Sequence, residues 1–233
     1  MRSFTKYIVA VFLSLCPFFP AFGQKTVSLR VMSMNIRQGG EYAGNKSEPY
    51  SELINKYDPD VVALQEVDYK TTRNGKRDWL NEVAMQTGMF PYFCKSITYQ
   101  GGAFGPAILS KYPFKSVEEL NWVGKKDARH IKCVLFDDIE INNIYIPAGG
   151  DVPDPIENLS FAHKLCFMDD ISEYLEQRKD KLKNKKILFC GDFNVAPSEN
   201  DVWNHKQLLK IVSHTPIEVG RLTRLFESLD FVD

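Results

Sequence analysis

The apolar positions of the chain follow two spacings, and the change from one to the other marks the predicted elements. Short continuous apolar runs are typical of buried strands, whereas apolar residues recurring every three or four positions are typical of helices packed on a core. The runs that predict strands lie at residues 29–34, 60–64, 107–109, 131–136, 139–146 and 187–190. The spacing predicts helices over residues 50–57, 79–84 and 161–175, and stop signals at Asp58-Pro59 and Gly88 end the first two.

Turn residues between these runs predict hairpins. Gln100-Gly101-Gly102 separates residues 92–99 from 107–109, and Asp137-Asp138 separates 131–136 from 139–146. Two more helices, at about residues 201–210 and 216–229, are predicted to close the chain. Because helices alternate with hairpins and no linker divides the chain, we expect a single layered α/β or α+β sandwich in which helices cover buried sheet faces.

The composition is that of an ordinary globular protein. The 233 residues are 44% hydrophobic and 25% charged, with 29 Lys and Arg against 30 Asp and Glu. The many apolar residues exclude a disordered chain, and the lack of a short repeat excludes collagen-like or coiled-coil character. The formal net charge of -1 also excludes a uniformly basic coat for nucleic acid. Any site for a polyanion must therefore be local.

The first residues have the pattern of a secretory signal peptide. Arg2 and Lys6 precede an uncharged run from Tyr7 to Phe22, and Ala21-Phe22-Gly23 provides small residues for cleavage. The run is shorter than the roughly 20 residues that span a bilayer, which makes a membrane anchor the weaker alternative. We therefore expect residues 1–23 to be removed on export, residues 24–233 to form the domain, and the mature protein to be secreted or periplasmic.

Four strand-like runs end at a residue that can bind a metal or a phosphate. These residues are Asn35, Glu66, Tyr145, and Asp192 together with Asn194. Functional groups gather where strands end, because strands fix position and loops give access. Carboxylate and amide oxygens are the ligands that Mg²⁺ prefers, and this ion needs only one or two carboxylates. Taken singly, Asn35 is more often a turn or cap residue, Glu66 a solvated strand end and Tyr145 a packing aromatic, while Asp192 with Asn194 fits a turn equally well.

The motifs MSMN ending at Asn35, ALQE ending at Glu66, NIYIP around Tyr145 and GDFN ending at Asn194 resemble, in this order, the endonuclease/exonuclease/phosphatase superfamily. The resemblance covers most of residues 28–233. It implies a four-layer sandwich of two mixed sheets flanked by helices, and a metal-dependent phosphoesterase. It further implies Glu66 as the main Mg²⁺ ligand, with Mn²⁺ as an alternative ion, and Asn35 as a metal-shell or phosphate-side residue. Tyr145 would contact phosphate or orient the nucleophile, Asp192 would orient or deprotonate the attacking water, Asn194 would hold that water and the phosphate, and Arg129 is a weaker phosphate contact.

The two halves resemble different branches of this superfamily. Residues 1 to about 115, with MSMNIRQGG and Thr72-Arg73, are similar to exported bacterial members. Residues from about 128, with ARHIKC and GDFNVAPSENDVW, resemble exodeoxyribonuclease III, an intracellular DNA-repair nuclease. Ile144-Tyr145 stands where members acting on lipids and small esters carry a Thr-His pair, so the resemblance favours DNA.

We therefore expect a monomeric Mg²⁺-dependent 3′-5′ exonuclease and abasic-site endonuclease with DNA as its partner and with no membrane span after signal removal. It would be cytoplasmic if the second half governs location. The alternatives are an exported phosphoesterase acting on small phosphodiesters, lipids or nucleotides, and an inactive DNA-binding remnant.

One feature of the superfamily has no counterpart here. Its members end with a Ser-Asp-His segment, and this chain ends at Asp233 before such a segment. The resemblance implies a truncated domain with weakened activity. Of the four histidines, His163 and His214 fall in matching segments, but we expect neither to touch substrate.

Basic residues follow Glu66 closely. Lys70 and Arg73 are predicted to meet a phosphate backbone, with Lys76 and Arg77 beside them. The denser basic cluster at residues 178–186 precedes the strand that leads to Asp192, so we expect it at the opposite end of that strand.

Overall fold

The structure is a computed structural model that describes residues 28–122, 129–136, 139–229 and 231. The segment read as a signal peptide and the turn residues Asp137-Asp138 lie outside these ranges. The strands of the described ranges are β1 (Val31–Asn35), β2 (Val61–Tyr69), β3 (Phe90–Phe93), β4 (Ile97–Tyr99), β5 (Gly102–Ser110), β6 (Ser116–Leu120), β7 (His130–Leu135), β8 (Ile139–Tyr145) and β9 (Lys186–Asp192). The helices are α1 (Arg37–Gly40), α2 (Glu48–Tyr57), α3 (Trp79–Thr87), α4 (Leu159–Leu182), α5 (His205–Leu208) and α6 (Pro216–Glu227).

These strands form two mixed sheets. The first has the order β1-β2-β5-β3, with β4 also paired to β5, and the second has the order β6-β7-β8-β9. β1 runs parallel to β2, and β8 runs parallel to β9, while the remaining pairs are antiparallel. The carboxyl ends of β1, β8 and β9 therefore carry Asn35, Tyr145 and Asp192.

Three apolar clusters make the sandwich four layers deep. Between the sheets, Val61 and Ile108 of the first sheet pack with Ile131 and Ile141 of the second. A second cluster lies between the first sheet and α2 and α3, and a third lies between the second sheet and α4 and α6. Each sheet is thus covered by helices on its outer face, which confirms the predicted fold class.

The structure corrects three details of the predicted elements. β2 does not end before Glu66 but continues to Tyr69, because a bulge carries the strand past it. The stretch 92–99 is divided between β3 and β4, both paired to β5. The prediction of a helix over about residues 201–210 was wrong, since α5 forms only one turn there. Among helices of the described ranges, none has the length and apolar composition needed to cross a bilayer.

Candidate active site

Four of the predicted site residues meet in one hydrogen-bonded cluster at the seam between the two sheets. The Asn35 amide donates through Nδ2 to Glu66 Oε1 at 3.0 Å and to Asp192 Oδ2 at 2.9 Å. The Tyr145 hydroxyl donates to the same Glu66 Oε1 at 3.0 Å. Asn35 and Glu66 come from the first sheet, and Tyr145 and Asp192 come from the second. Residues separated by as many as 157 positions therefore touch directly.

A β-bulge aims Glu66 into this cluster. The pairing of β2 with β5 shifts between Leu64 and Val67, and Glu66 has a left-handed φ of 63°. Such a bulge turns one side chain out of the regular alternation of the strand. The second carboxylate oxygen of Glu66 accepts the backbone N–H of Gln38 at 3.0 Å, so both oxygens are held.

A buried amide network from the opposite sheet supports the bulge. Asn143 on β8 has no exposed surface and donates to the backbone oxygens of Leu64 at 3.0 Å and Ala107 at 2.8 Å. Gln65 donates to the Asn143 side-chain oxygen at 2.7 Å. Carbonyl groups buried at the bulge therefore find partners. The sequence reasoning missed both amides, although two adjacent asparagines inside an apolar strand were the available signal.

The loop after β9 fixes Asp192 and Asn194. The backbone N–H of Asn194 donates to Asp192 Oδ1 at 3.0 Å, and its side-chain amide donates to the Ile146 oxygen at 2.8 Å. Asn194 has a left-handed φ of 49°, which asparagine tolerates better than most residues. Gly191 has a φ of 137°, and a Cβ there would lie 1.9 Å from the Ile144 oxygen. The GDFN motif thus combines close strand packing with a tight turn.

A buried ion pair lies beneath this loop. Lys164 and Glu218 have no exposed side-chain surface and meet at 2.5 Å. The Lys164 ammonium also donates to the backbone oxygens of Asn194 at 2.6 Å and Ala148 at 3.2 Å. Burial lowers the pKa of Lys164, and the neighbouring Glu218 carboxylate opposes that shift. The pair ties together the loops that follow β8 and β9, a role the sequence did not indicate.

The cluster has the donor chemistry of a divalent-metal site. The shared Asn35 amide brings the Glu66 and Asp192 oxygens within about 6 Å of each other. Within the described ranges neither carboxylate forms a salt bridge, so a cation between them would relieve their repulsion. Groups of three or more His, Cys, Asp or Glu that could hold a metal do not occur in the described part of the chain. The two carboxylates of the cluster are oxygen ligands of the kind that divalent cations bind.

Asn35 and Tyr145 face the carboxylates as hydrogen-bond donors. The Asn35 oxygen accepts the backbone N–H of Arg37 at 2.8 Å, so its NH₂ group points to Glu66 and Asp192. A metal-ligand role for Asn35 would require rotation of this amide. Burial, together with the Glu66 charge, raises the pKa of the Tyr145 hydroxyl well above its ordinary value. Tyr145 therefore remains a neutral donor at physiological pH.

The predicted substrate-binding cations have different surroundings. The Arg129 guanidinium lies 5.2 Å from the Tyr145 ring centroid, beside the cluster. Arg73 lines a cavity with Glu66 while its guanidinium pairs with Asp68 at 2.6 Å. Lys70 lies 4.9 Å from the ring of Tyr69 and does not line that cavity. Arg77 pairs with Glu82, so it stabilises the loop before α3.

The histidines of the described ranges also separate by position. His163 lines a second cavity with Arg129 and Tyr145, which places it closer to the cluster than the sequence indicated. His214 bonds His205 at 2.9 Å and the Ala196 oxygen at 2.7 Å, so it supports the loop after Asn194. His130 is fully buried and bonds Asn142 at 2.8 Å.

A two-sheet sandwich with carboxylates and amides gathered at its strand ends defines the class of enzymes that cleave phosphoesters. The chain belongs to the Endonuclease/Exonuclease/phosphatase family, whose sequence profile matches residues 32–225. This membership confirms the family resemblance and the prediction of a phosphodiesterase or nuclease.

Two curated relatives carry DNA-enzyme names. Exodeoxyribonuclease III of Haemophilus influenzae is 28% identical over 221 residues, covering 85% of this chain and 72% of that protein. A DNA-(apurinic or apyrimidinic site) endonuclease of Dictyostelium discoideum is 28% identical over 191 residues. That match covers 80% of this chain and about half of the relative, 47% of its length.

Solved structures share the fold at low sequence identity. An AP endonuclease from Archaeoglobus fulgidus matches with a TM-score of 0.66 at 20% identity, covering 86% of this chain and 70% of the other. A 3′-5′ exonuclease from Neisseria meningitidis matches with a TM-score of 0.68 at 16% identity, covering 86% and 71%. These two likenesses concern the architecture alone.

Proposed function

We propose that this protein is a Mg²⁺-dependent DNA-repair nuclease with abasic-site endonuclease and 3′-5′ exonuclease activity. The observation that carries the proposal is the pair of carboxylates, Glu66 and Asp192, joined by one Asn35 amide across the seam of the sheets. The names of the two curated relatives support DNA as the substrate. The proposed enzyme acts as a monomer.

The proposed metal position is at Glu66. A bound divalent cation, Mg²⁺ or alternatively Mn²⁺, would neutralise phosphate charge and polarise the phosphoryl oxygen. Glu66 is suited to hold it because the Gln38 N–H, the Asn35 amide and the Tyr145 hydroxyl fix its carboxylate from three directions. A carboxylate that is held in place loses little freedom when it binds an ion.

Asp192 is the proposed acceptor of the proton from the attacking water. Its two oxygens accept from Asn194 and Asn35, which fixes the carboxylate beside the Asn35 amide that it shares with Glu66. As the water oxygen bonds to phosphorus, its proton passes to Asp192 and the opposite P–O bond breaks, so the leaving oxygen departs as an alkoxide that takes a proton from solvent water. Asn194 holds the loop geometry, and the neutral Tyr145 hydroxyl, whose single O–H donates to Glu66, positions that carboxylate.

The experiment that tests this function measures cleavage of an abasic-site duplex with Mg²⁺ and with EDTA. Glu66→Gln and Asp192→Asn are expected to lower turnover by about 10²- to 10³-fold, the usual effect of removing one preorganised polar contact. Glu52→Gln, an exposed change on α2, is the matched control and should leave turnover unchanged. Turnover that survives either EDTA or Glu66→Gln would contradict the proposal.

A second candidate is an exported phosphoesterase acting on nucleotides, lipids or other small phosphodiesters. It is favoured by the signal-like residues 1–23 and by the likeness of the first half to exported proteins. Comparing turnover on abasic duplex and on small phosphodiesters separates the two functions. Tight DNA binding without Mg²⁺-dependent cleavage would instead identify an inactive DNA-binding remnant. Export itself is tested by locating the full-length chain after cell fractionation.

A further inference from the structure

A cleft of about 240 Å³ opens beside Glu66 on the side of the β4–β5 hairpin. We call it the hairpin cleft, defined by Gln38, Glu66, Arg73, Ile97, Tyr99 and Phe104. Because Glu66 belongs both to this cleft and to the carboxylate cluster, a group bound in the cleft lies next to the phosphate being cleaved. The volume is below the roughly 300 Å³ at which drug-sized pockets begin, so it suits one small ring system.

The guanidinium in the wall of the hairpin cleft is held rigidly. Arg73 Nε and Nη2 donate to the two oxygens of Asp68 at 2.6 and 2.7 Å, and Nη1 donates to the Gln38 side chain at 3.1 Å. A guanidinium has five N–H donors, so two remain beyond these three contacts. Its side chain is 22% exposed, whereas that of Asp68 is fully buried. Arg73 can therefore pair with Asp68 and still offer donors to a ligand oxygen.

The other walls of the cleft are apolar and aromatic. Ile97 is 39% exposed and Tyr99 is 36% exposed, so both side chains are accessible to a ligand in the cleft. The Arg73 guanidinium lies 4.7 Å from the Tyr99 ring and 5.4 Å from the Phe104 ring. Stacked contacts of this kind fix the rings, and every nucleobase has a flat face that can pack on them.

A second cavity flanks the cluster on the Tyr145 side. It is lined by Arg129, Tyr145, His163 and neighbouring residues of the 147–150 loop and the start of α4. The Tyr145–Glu66 hydrogen bond separates this cavity from the hairpin cleft. A phosphomonoester carries one organic substituent, but a phosphodiester carries two. A third cavity, lined by Asn35, Asp192 and Asn194, also borders the cluster, so there is space on more than one side for the two groups of a diester.

We propose that the hairpin cleft is a subsite for the nucleoside next to the scissile phosphate. Its base packs on Tyr99 and Ile97, and an oxygen of the nucleoside or its neighbouring phosphate accepts from Arg73. Because the contacts are stacking and a single cation, the subsite takes any base. The inference deepens the proposed function and rests on it, since it names which part of a nucleic acid lies on this side of Glu66.

The test is a cycle of enzyme and substrate changes. Tyr99→Ala is combined with oligonucleotides that lack the base immediately 5′ or immediately 3′ of the scissile phosphate. On the intact strand, Tyr99→Ala is expected to raise KM about 5- to 100-fold, the range for loss of one stacked base. That penalty should shrink to less than twofold on the substrate that lacks the base bound in the cleft. Tyr99→Phe keeps the ring and should behave like the unmodified protein.

Tyr57→Ala is the matched control. Tyr57 is also an exposed tyrosine, but it lies at the end of α2 near the start of β2, away from the cluster. The same cycle is measured by anisotropy of labelled oligonucleotides, so the test of the subsite does not depend on turnover. An equal Tyr99→Ala penalty on all substrates, or none on any, overturns the subsite. If the unmodified protein shows no Mg²⁺-dependent cleavage, the proposed function is contradicted. In that case a Tyr99→Ala loss of affinity that depends on the base still supports the subsite.

Discussion

Lys164 is a lysine with no exposed side-chain surface, and its surroundings explain how such a residue is tolerated. Besides Glu218, its ammonium has three oxygen partners on Ala148, Asn194 and Ser213. Glu218 in turn accepts from the backbone of Ser213 and from Thr215. A buried charge is stable only when its partner and its remaining hydrogen bonds are present.

Lys164→Met is therefore expected to lower the free energy of unfolding by about 3–5 kcal/mol, because it leaves Glu218 charged and buried. Urea denaturation of the purified chain measures this change. The double variant Lys164→Met with Glu218→Met removes both charges and should be less destabilised than Lys164→Met alone. If the double variant is less stable than Lys164→Met alone, the explanation that an unpaired Glu218 charge causes the destabilisation is contradicted.

At this scale the sequence predicted part of the site. Asn35, Glu66, Tyr145 and Asp192 were predicted to share one site, and the structure brings them together. Lys164 and Asn143 were missed because their roles depend on partners from distant parts of the chain. Gln65 and Asn143 are 78 positions apart, so no local sequence pattern indicates that they form a hydrogen bond.

The β8–β9 pair shows how one residue type can determine an element. Strand β9 reaches its last residues at Gly191 and Asp192, which pair with Ile144 and Tyr145. The Cβ of any other residue at position 191 would overlap the Ile144 carbonyl. That residue would also have to adopt a left-handed φ. The glycine thus permits the close approach that sets Asp192 beside Tyr145.

Gly191→Ala is expected to destabilise the protein by at least about 3 kcal/mol, since steric overlap and backbone strain act at the same position. Thermal or urea unfolding measures the effect. Gly220→Ala is the control, because Gly220 lies exposed in α6 with open space around it. That change should be neutral or stabilising by up to about 1 kcal/mol. Equal stabilities for the two variants would refute the close-approach argument.

Elements with a clear period were the easiest to predict. α2, α3, α4 and α6 all occur where apolar spacing predicted helices, and α2 and α3 end at the predicted stop signals. The continuation of β2 was missed because its bulge depends on Asn143 from the other sheet. The helix near residues 201–210 failed for a local reason, since Asn204 caps a single turn and the chain bends again after Leu209.

The stability of the whole molecule carries a pH signature from His130. This residue is fully buried, stacks on Trp122 at 5.8 Å, and uses Nε2 to bond Asn142. Nδ1 is buried without a hydrogen-bond partner in the described ranges, so a proton there would be unsatisfied. Burial accordingly lowers the pKa of His130 to about 4.

Because the folded state binds this proton less readily than the unfolded state, the neutral histidine favours folding. The contribution is complete above the ordinary histidine value of 6.5 and is lost as pH falls toward 4. A shift of this size corresponds to on the order of 3 kcal/mol. Unfolding curves between pH 8 and pH 4 measure it. In His130→Gln the side chain does not titrate, and a slope in that variant as steep as in the unmodified protein would contradict the assignment.

The Asn35 amide joins Glu66 of one sheet to Asp192 of the other, so its two hydrogen bonds depend on how the sheets are aligned. A slip of one strand residue moves a side chain by about 3.3 Å, more than a hydrogen bond can stretch. A shift of one sheet against the other therefore breaks a hydrogen bond of Asn35 at the seam. Val61 and Ile141 pack between the two sheets, so repacking them is a means of shifting Glu66 relative to Asp192 without altering a residue of the site.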